Sequence, residues 1–227
     1  MKVRYSYLSQ QFSNCEGLWR NLKNFVKTGD FTLGKELTKF EKKFAKLIGT
    51  KYAVGVNSGT DAIKLSLKVI GIKPGDEVIT AANTFVATVG AICELGAKPI
   101  FVDCDDSFCL DVNLVEKKIN KKTKAIVPVH FTGYMTNMIK LNKIAKKYKI
   151  PIVEDACQSI LASINKKNSG TWSNFGAFSL HPLKNINVWS DGGIIVTSNK
   201  KHYEHLKLLR NHGLVDRDNV KLSGYNS

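Results

Sequence analysis

Four short stretches of this 227-residue sequence carry residue types that could do chemistry together. Lys184 lies in Ser179-Leu180-His181-Pro182-Leu183-Lys184-Asn185, just past the apolar run Phe175–Ser179, with Asp191-Gly192-Gly193 close behind. An amine in a Pro-fixed loop, its pKa lowered by burial and nearby positive charge, suits attack on a carbonyl carbon to give a Schiff base. A second apolar run ends in Glu154-Asp155-Ala156-Cys157-Gln158. A carboxylate there is costly to bury without a partner, and a protonated ring nitrogen would be one. Glu154 and Asp155 alternate along a strand and so face opposite sides. Asn57-Ser58-Gly59-Thr60-Asp61 opens a helix, where free N–H groups, a hydroxyl and the positive dipole end can cradle a phosphate. Phe85, in Ala81-Ala82-Asn83-Thr84-Phe85, stands where a strand meets a helix, so its ring can lie across a flat ligand. Singly, these features also read as a surface lysine, an N-cap and a core ring. Jointly they match the phosphate, ring face, ring nitrogen and aldehyde carbon of pyridoxal 5′-phosphate.

These residues need elements to position them. Leu37, Phe40, Phe44 and Leu47 share one face of a helix over 36–48. The spacing then predicts strands at Tyr52–Val56, Glu77–Thr80, Pro99–Val102, Ala125–Val129, Ile150–Glu154, Phe175–Ser179 and Gly193–Thr197. Helices are expected over about 60–70, 84–95, 113–119, 137–148 and 200–210. The runs are almost continuously apolar, as in a parallel sheet covered on both faces. Gly193–Thr197 follows its predecessor too closely for a helical crossover, so one antiparallel strand is expected. The expected fold is therefore α/β, a seven-stranded, mostly parallel sheet with helices on both faces. In such a sheet ligands bind beyond the carboxyl ends of the strands, where all four stretches fall. Residues 214–227 read as an unfinished loop, frayed or cut short.

Composition bounds the alternatives. Hydrophobic residues at 43% and charged residues at 23% describe a globular chain rather than a disordered one. No apolar run reaches the eighteen or so residues of a membrane helix, and the first residues lack a signal-peptide core. The five cysteines form no C-x-x-C pair and the histidines no H-E-x-x-H, which argues against disulfides and metal and for a reducing cytoplasm. The net charge of +15 suits an anionic partner. However, the lysines sit in solvated runs such as Lys117, Lys118, Lys121, Lys122 and Lys124, without the interleaved aromatics of a nucleic-acid face.

Read together, NSGTDA at 57–62, TFVAT at 84–88, EDACQS at 154–159, GAFSLHPLKN at 176–185 and DGG at 191–193 resemble the DegT/StrS sugar aminotransferases. GDFTLGKEL at 29–37, FEKKFA at 40–45, RNHG at 210–213 and GYNS at 224–227 extend the likeness along nearly the whole chain. The resemblance implies a fold type I large domain holding pyridoxal 5′-phosphate. Glutamate would be the amino donor and a nucleotide-diphosphate keto sugar the acceptor, in amino-sugar or cell-surface polysaccharide synthesis. It implies Lys184 as the catalytic lysine bound to the cofactor and Asp155 as partner of the ring nitrogen. Gln158 would contact the phenolic oxygen side, Ser58, Gly59, Thr60 and Ser179 the phosphate, and Phe85 the ring face. Asn226 would reach the phosphate of a neighbouring subunit in a homodimer with shared sites. Sugar dehydratases on the same scaffold replace the lysine by histidine, so Lys184 points to amino transfer. The implied organisation is an N-terminal segment at 1–30, the cofactor-binding domain at 31–213 and the start of an interface loop at 214–227. Family members run on into a small C-terminal domain, so the expectation is a C-terminally truncated chain. The competing expectation is an incomplete fragment acting as a binding or regulatory module.

Overall fold

The computed structural model describes residue 3 and residues 5–227; the other positions of the expected N-terminal segment, 1, 2 and 4, lie outside the described residues. Two helices that the periodicity did not reveal come first, α1 (Leu8–Gln11) and α2 (Glu16–Val26). Then follow α3 (Lys35–Ile48), β1 (Tyr52–Val56), α4 (Gly59–Val69), β2 (Glu77–Ala81), α5 (Val86–Cys93), β3 (Lys98–Val102), α6 (Val112–Lys118) and β4 (Thr123–Val127). After α7 (Met138–Tyr148) come β5 (Val153–Asp155), the small hairpin β6 (Ser163–Ile164) and β7 (Lys167–Asn168), β8 (Phe175–Ser179), β9 (Gly193–Thr197) and α8 (Lys200–Arg210). Helix starts follow local chemistry. The side chains of Ser58, Asp111, Asn137 and Asn199 accept first-turn N–H bonds of α4, α6, α7 and α8.

The long strands run in the order β3-β2-β4 and β5-β8-β9-β1. β9 is antiparallel to both its neighbours, and the remaining pairings are parallel. β4 and β5 lie side by side but meet only at the parallel bridges Ile126–Ile152 and Val129–Asp155. The ladder is thin there because Pro128 and Pro151 have no N–H to give. Their carbonyls still accept, from Asp155 at 2.9 Å and Ile126 at 3.1 Å. The expected single sheet is thus two hydrogen-bonded ladders joined at a proline seam, and the strand expected at Ile150–Glu154 is shortened to Val153–Asp155.

Side chains alternate to opposite faces of the strands. Val54, Val56 and Ile195 join the cluster of α4, α5 and α8, whereas Ala53, Ile194 and Val196 pack with Phe44 and Ile48 of α3. A third cluster buries Met138, Leu141 and Ile144 of α7 against Ile79 and Ile126. Helices therefore cover both faces of an α/β sheet. The segment after α8 is not frayed. Leu214 bridges Val220 and Asn211 bridges Asn226. Leu222 and Tyr225 lie on the core, and Ser227 Oγ donates to Asp61 Oδ2 at 2.6 Å.

Candidate active site at the carboxyl ends of the strands

β1, β2, β4, β5 and β8 deliver their following residues to one end of the sheet, around a cavity of about 510 Å³. That is an ordinary size for a small-molecule site. Ser58, Gly59, Thr60, Phe85, Asp155, Gln158, Ser179 and Lys184 all line it. Asn226 does not: it is exposed, and its carbonyl accepts from Asn57 Nδ2 at 2.9 Å, on the flank of α4.

At the start of α4, Ser58 Oγ accepts from Asp61 N at 3.0 Å, while the N–H groups of Gly59 and Thr60 have no partner within the helix. The approach is close. A Cβ on Gly59 would stand 2.8 Å from Ser179 Cβ and 2.9 Å from Cys157 Sγ. One on Gly193 would stand 2.1 Å from Ser58 O. The two glycines let α4, β8 and β9 meet beside the cavity. The Asp61 carboxylate, which would repel an anion there, is occupied by Lys64 Nζ at 2.6 Å and Ser227 Oγ at 2.6 Å.

Asp155 ends β5 and is 6% exposed. Its Oδ2 accepts from Thr88 Oγ1 at 2.7 Å and its Oδ1 from Cys157 N at 3.2 Å. Thr88 is in turn 2.7 Å from Thr84 Oγ1. Glu154 points the other way, as the alternation requires, into a fully buried nest. Its Oε2 accepts from Gly170 N at 2.8 Å and from His130 Nε2 at 3.0 Å. Its Oε1 accepts from Trp172 N and Ser173 Oγ, both at 2.8 Å. His130 Nδ1 accepts from Thr136 N at 3.3 Å, which fixes the proton on Nε2. Two neighbouring carboxylates thus divide the work, one structural and one facing the cavity.

Gln158 Oε1 accepts from Thr132 N at 2.9 Å, leaving its amide N–H groups to face a ligand. Phe85 is 66% exposed at the cavity wall. Lys184 is half-buried beside Cys157 and Ser179, with which it lines a small adjoining cleft. Burial pushes the Cys157 thiol well above its usual range, the Asp155 carboxylate adds to the shift, and the Lys184 ammonium pulls it back.

Thr88 and Cys157 are site residues that the residue-by-residue reading passed over. Thr88 stands one helical turn after Thr84 in TFVAT, a spacing that puts both hydroxyls on one face. Cys157 had no such signal.

The donor set fits pyridoxal 5′-phosphate. A phosphate finds free helix-start N–H groups at Gly59 and Thr60, held against β8 by the close approach that Gly59 allows. A ring N–H finds a carboxylate held ready to accept by two donors, and an aldehyde finds a primary amine.

Comparison with known proteins follows the same line. The model of the DegT/DnrJ/EryC1/StrS aminotransferase family matches residues 16–227. A pleiotropic regulatory protein of Geobacillus stearothermophilus is 38% identical over 100% of this chain and 62% of its own length. The dTDP-3-amino-3,4,6-trideoxy-alpha-D-glucose transaminase of Streptomyces venezuelae is 41% identical over 88% of this chain and 53% of its own. The crystal structure of NtdA from Bacillus subtilis, with bound cofactor PMP, superposes with a TM-score of 0.92. That match has 35% identity and covers 99% of this chain and 52% of NtdA. The chain spans between half and two thirds of the lengths of these relatives.

Proposed function

Because the chain belongs to the DegT/DnrJ/EryC1/StrS aminotransferase family, we propose that it carries the cofactor site of a pyridoxal-phosphate enzyme. That enzyme moves an amino group, from glutamate, onto the keto group of a nucleotide-diphosphate sugar, in amino-sugar or cell-surface polysaccharide synthesis. One observation carries this reading. Lys184, a buried carboxylate and an unpaired helix start line a single cavity at the carboxyl ends of the strands.

Bound there, pyridoxal 5′-phosphate supplies an aldehyde that carries nitrogen and a ring that draws electrons from the substrate carbon. The protein's own residues do the rest. Lys184 Nζ would hold the aldehyde carbon and, once the incoming amine displaces it, would be free to take and return the proton at the substrate carbon that bears nitrogen. Asp155 accepts the ring N–H and, kept in place by Thr88 and Cys157 N, holds that proton on the ring. The Gly59 and Thr60 N–H groups and the Ser58 and Ser179 hydroxyls bind the phosphate. Phe85 covers the ring face and excludes water, and Gln158 donates to the phenolic oxygen side. Asn226, exposed and outside the lining of its own cavity, serves the phosphate of a second subunit in a homodimer. Residues 31–213 form the cofactor-binding domain, with the described part of the 1–30 segment packed beside it and 214–227 opening an interface loop; the enzyme works in the cytoplasm.

Titration with pyridoxal 5′-phosphate, borohydride reduction and peptide mass mapping test the assignment. The expected result is one reduced adduct on Lys184, lost in Lys184→Ala. Adducts scattered over surface lysines, or an unchanged adduct in Lys184→Ala, would overturn it.

A further inference from the structure

The loop carrying Lys184 is closed at its base by backbone bonds. Leu180 N–H donates to Gly192 O at 2.8 Å and Val188 N–H to Leu180 O at 2.9 Å. Within it, Lys184 N–H donates to His181 O at 2.8 Å and Leu183 N–H to His181 Nδ1 at 3.2 Å, and one further side chain, Asn187, ties its carbonyls. Asn187 Nδ2 lies 3.0 Å from Pro182 O and 3.3 Å from the carbonyl oxygen of Lys184 itself. That amide also pairs with Gln11, at the end of α1. Gln11 Nε2 donates to Asn187 Oδ1 at 3.3 Å, and Asn187 Nδ2 lies 3.2 Å from Gln11 Oε1. Two residues further on, the Trp189 ring meets Phe12 at 6.0 Å, edge-on, and Trp19 of α2 at 5.0 Å. Helices α1 and α2 bury none of their own residues. Their side chains instead meet the Lys184 loop, across 176 residues of sequence for the Gln11–Asn187 pair.

We propose that Asn187 is a positioning residue for Lys184, and that the loop is braced from outside by Gln11 through Asn187 and by Phe12 and Trp19 through Trp189. Docking of the N-terminal segment and retention of the cofactor are then coupled. The proposal rests on the reading of Lys184 as the cofactor lysine. A loop without its internal ties samples other placements of the amine, and apparent affinity falls with the fraction of competent loop. A hydrogen bond of this kind moves such a population about two- to tenfold. The coupling is reciprocal: whatever factor the brace adds to cofactor binding, bound cofactor adds to docking of the N-terminal segment.

The test uses the full chain and two readouts. In cofactor-free protein, Gln11→Ala is expected to speed amide exchange at Lys184 and Val188 about two- to tenfold, leaving β5 and β8 unchanged. In titrations with pyridoxal 5′-phosphate, Gln11→Ala should raise Kd by a similar factor and Asn187→Ala by more. The double variant should be no weaker than Asn187→Ala, because Gln11 acts through Asn187. Urea midpoints should stay with the parent, which separates positioning from general loss of stability. Unchanged exchange in Gln11→Ala, or additive losses in the double variant, would overturn the brace. A parent chain with no Lys184-dependent binding would overturn the cofactor reading instead, while the exchange measurement still decides the brace.

Discussion

The two sides of the cavity are built on different principles. The Asp155 side is a strand end, hydrogen-bonded to β8 and bridged to the β4 side, with the buried Glu154 nest behind it accepting four bonds. The Lys184 side is a half-exposed loop tied by a few backbone bonds, by His181 and Asn187 and by aromatic contacts at the surface. A group that only has to accept a proton can be fixed rigidly in the core. An amine that must bind, let go and move a proton needs a mount that can give, and the low-stability parts of a fold supply such mounts. The contrast predicts that changes on the strand side act on stability and that changes on the loop act on binding.

The largest expected effect comes from Glu154→Ala, which strips the partner from His130, Gly170 N, Trp172 N and Ser173 in a dry site. Urea unfolding should show a loss of about 3–5 kcal/mol. A loss below about 1 kcal/mol would erase the contrast between the two sides. Gly59→Ala comes next. Its Cβ meets Ser179 and Cys157 below 3.0 Å, and overpacking of this kind costs about 1–3 kcal/mol. It should also weaken pyridoxal-phosphate binding, because relief requires moving the start of α4.

A smaller effect is pH-dependent. Burial raises the thiol pKa of Cys157 in the folded state, so the folded chain favours the neutral form. The stability this contributes is complete below the unfolded thiol's pKa and is lost as pH rises towards the folded value. Above about pH 8.5 the parent should therefore lose up to roughly 1.4 kcal/mol per pH unit relative to Cys157→Ala, by urea titration. Equal slopes for the two proteins would place that thiol in water. The smallest stability change belongs to the loop: Lys184→Ala should stay within about 0.5 kcal/mol of the parent while losing its adduct.

Much of this was written in local order. Near-continuous apolar runs marked the long strands, because a strand covered on both faces has no polar side to show. Short spacing before Gly193–Thr197 marked the antiparallel strand, because no crossover fits there. The alternation of Glu154 and Asp155 foretold their opposite directions, since the strand period is two. Other features had no local signature. The proline seam depends on which strands become neighbours, and neither Pro128 nor Pro151 announces its partner. Glu154 needed a buried partner, but His130 lies 24 residues upstream and meets it only once β4 and β5 align. Helix α2 has an apolar stripe with no core beneath it, and its contact with Trp189 spans most of the chain. Period and burial are set by neighbours a few residues away, so one sequence displays them. Pairings between distant side chains exist only where the packed sheet brings them within bonding distance, as it does for Gln11 and Asn187.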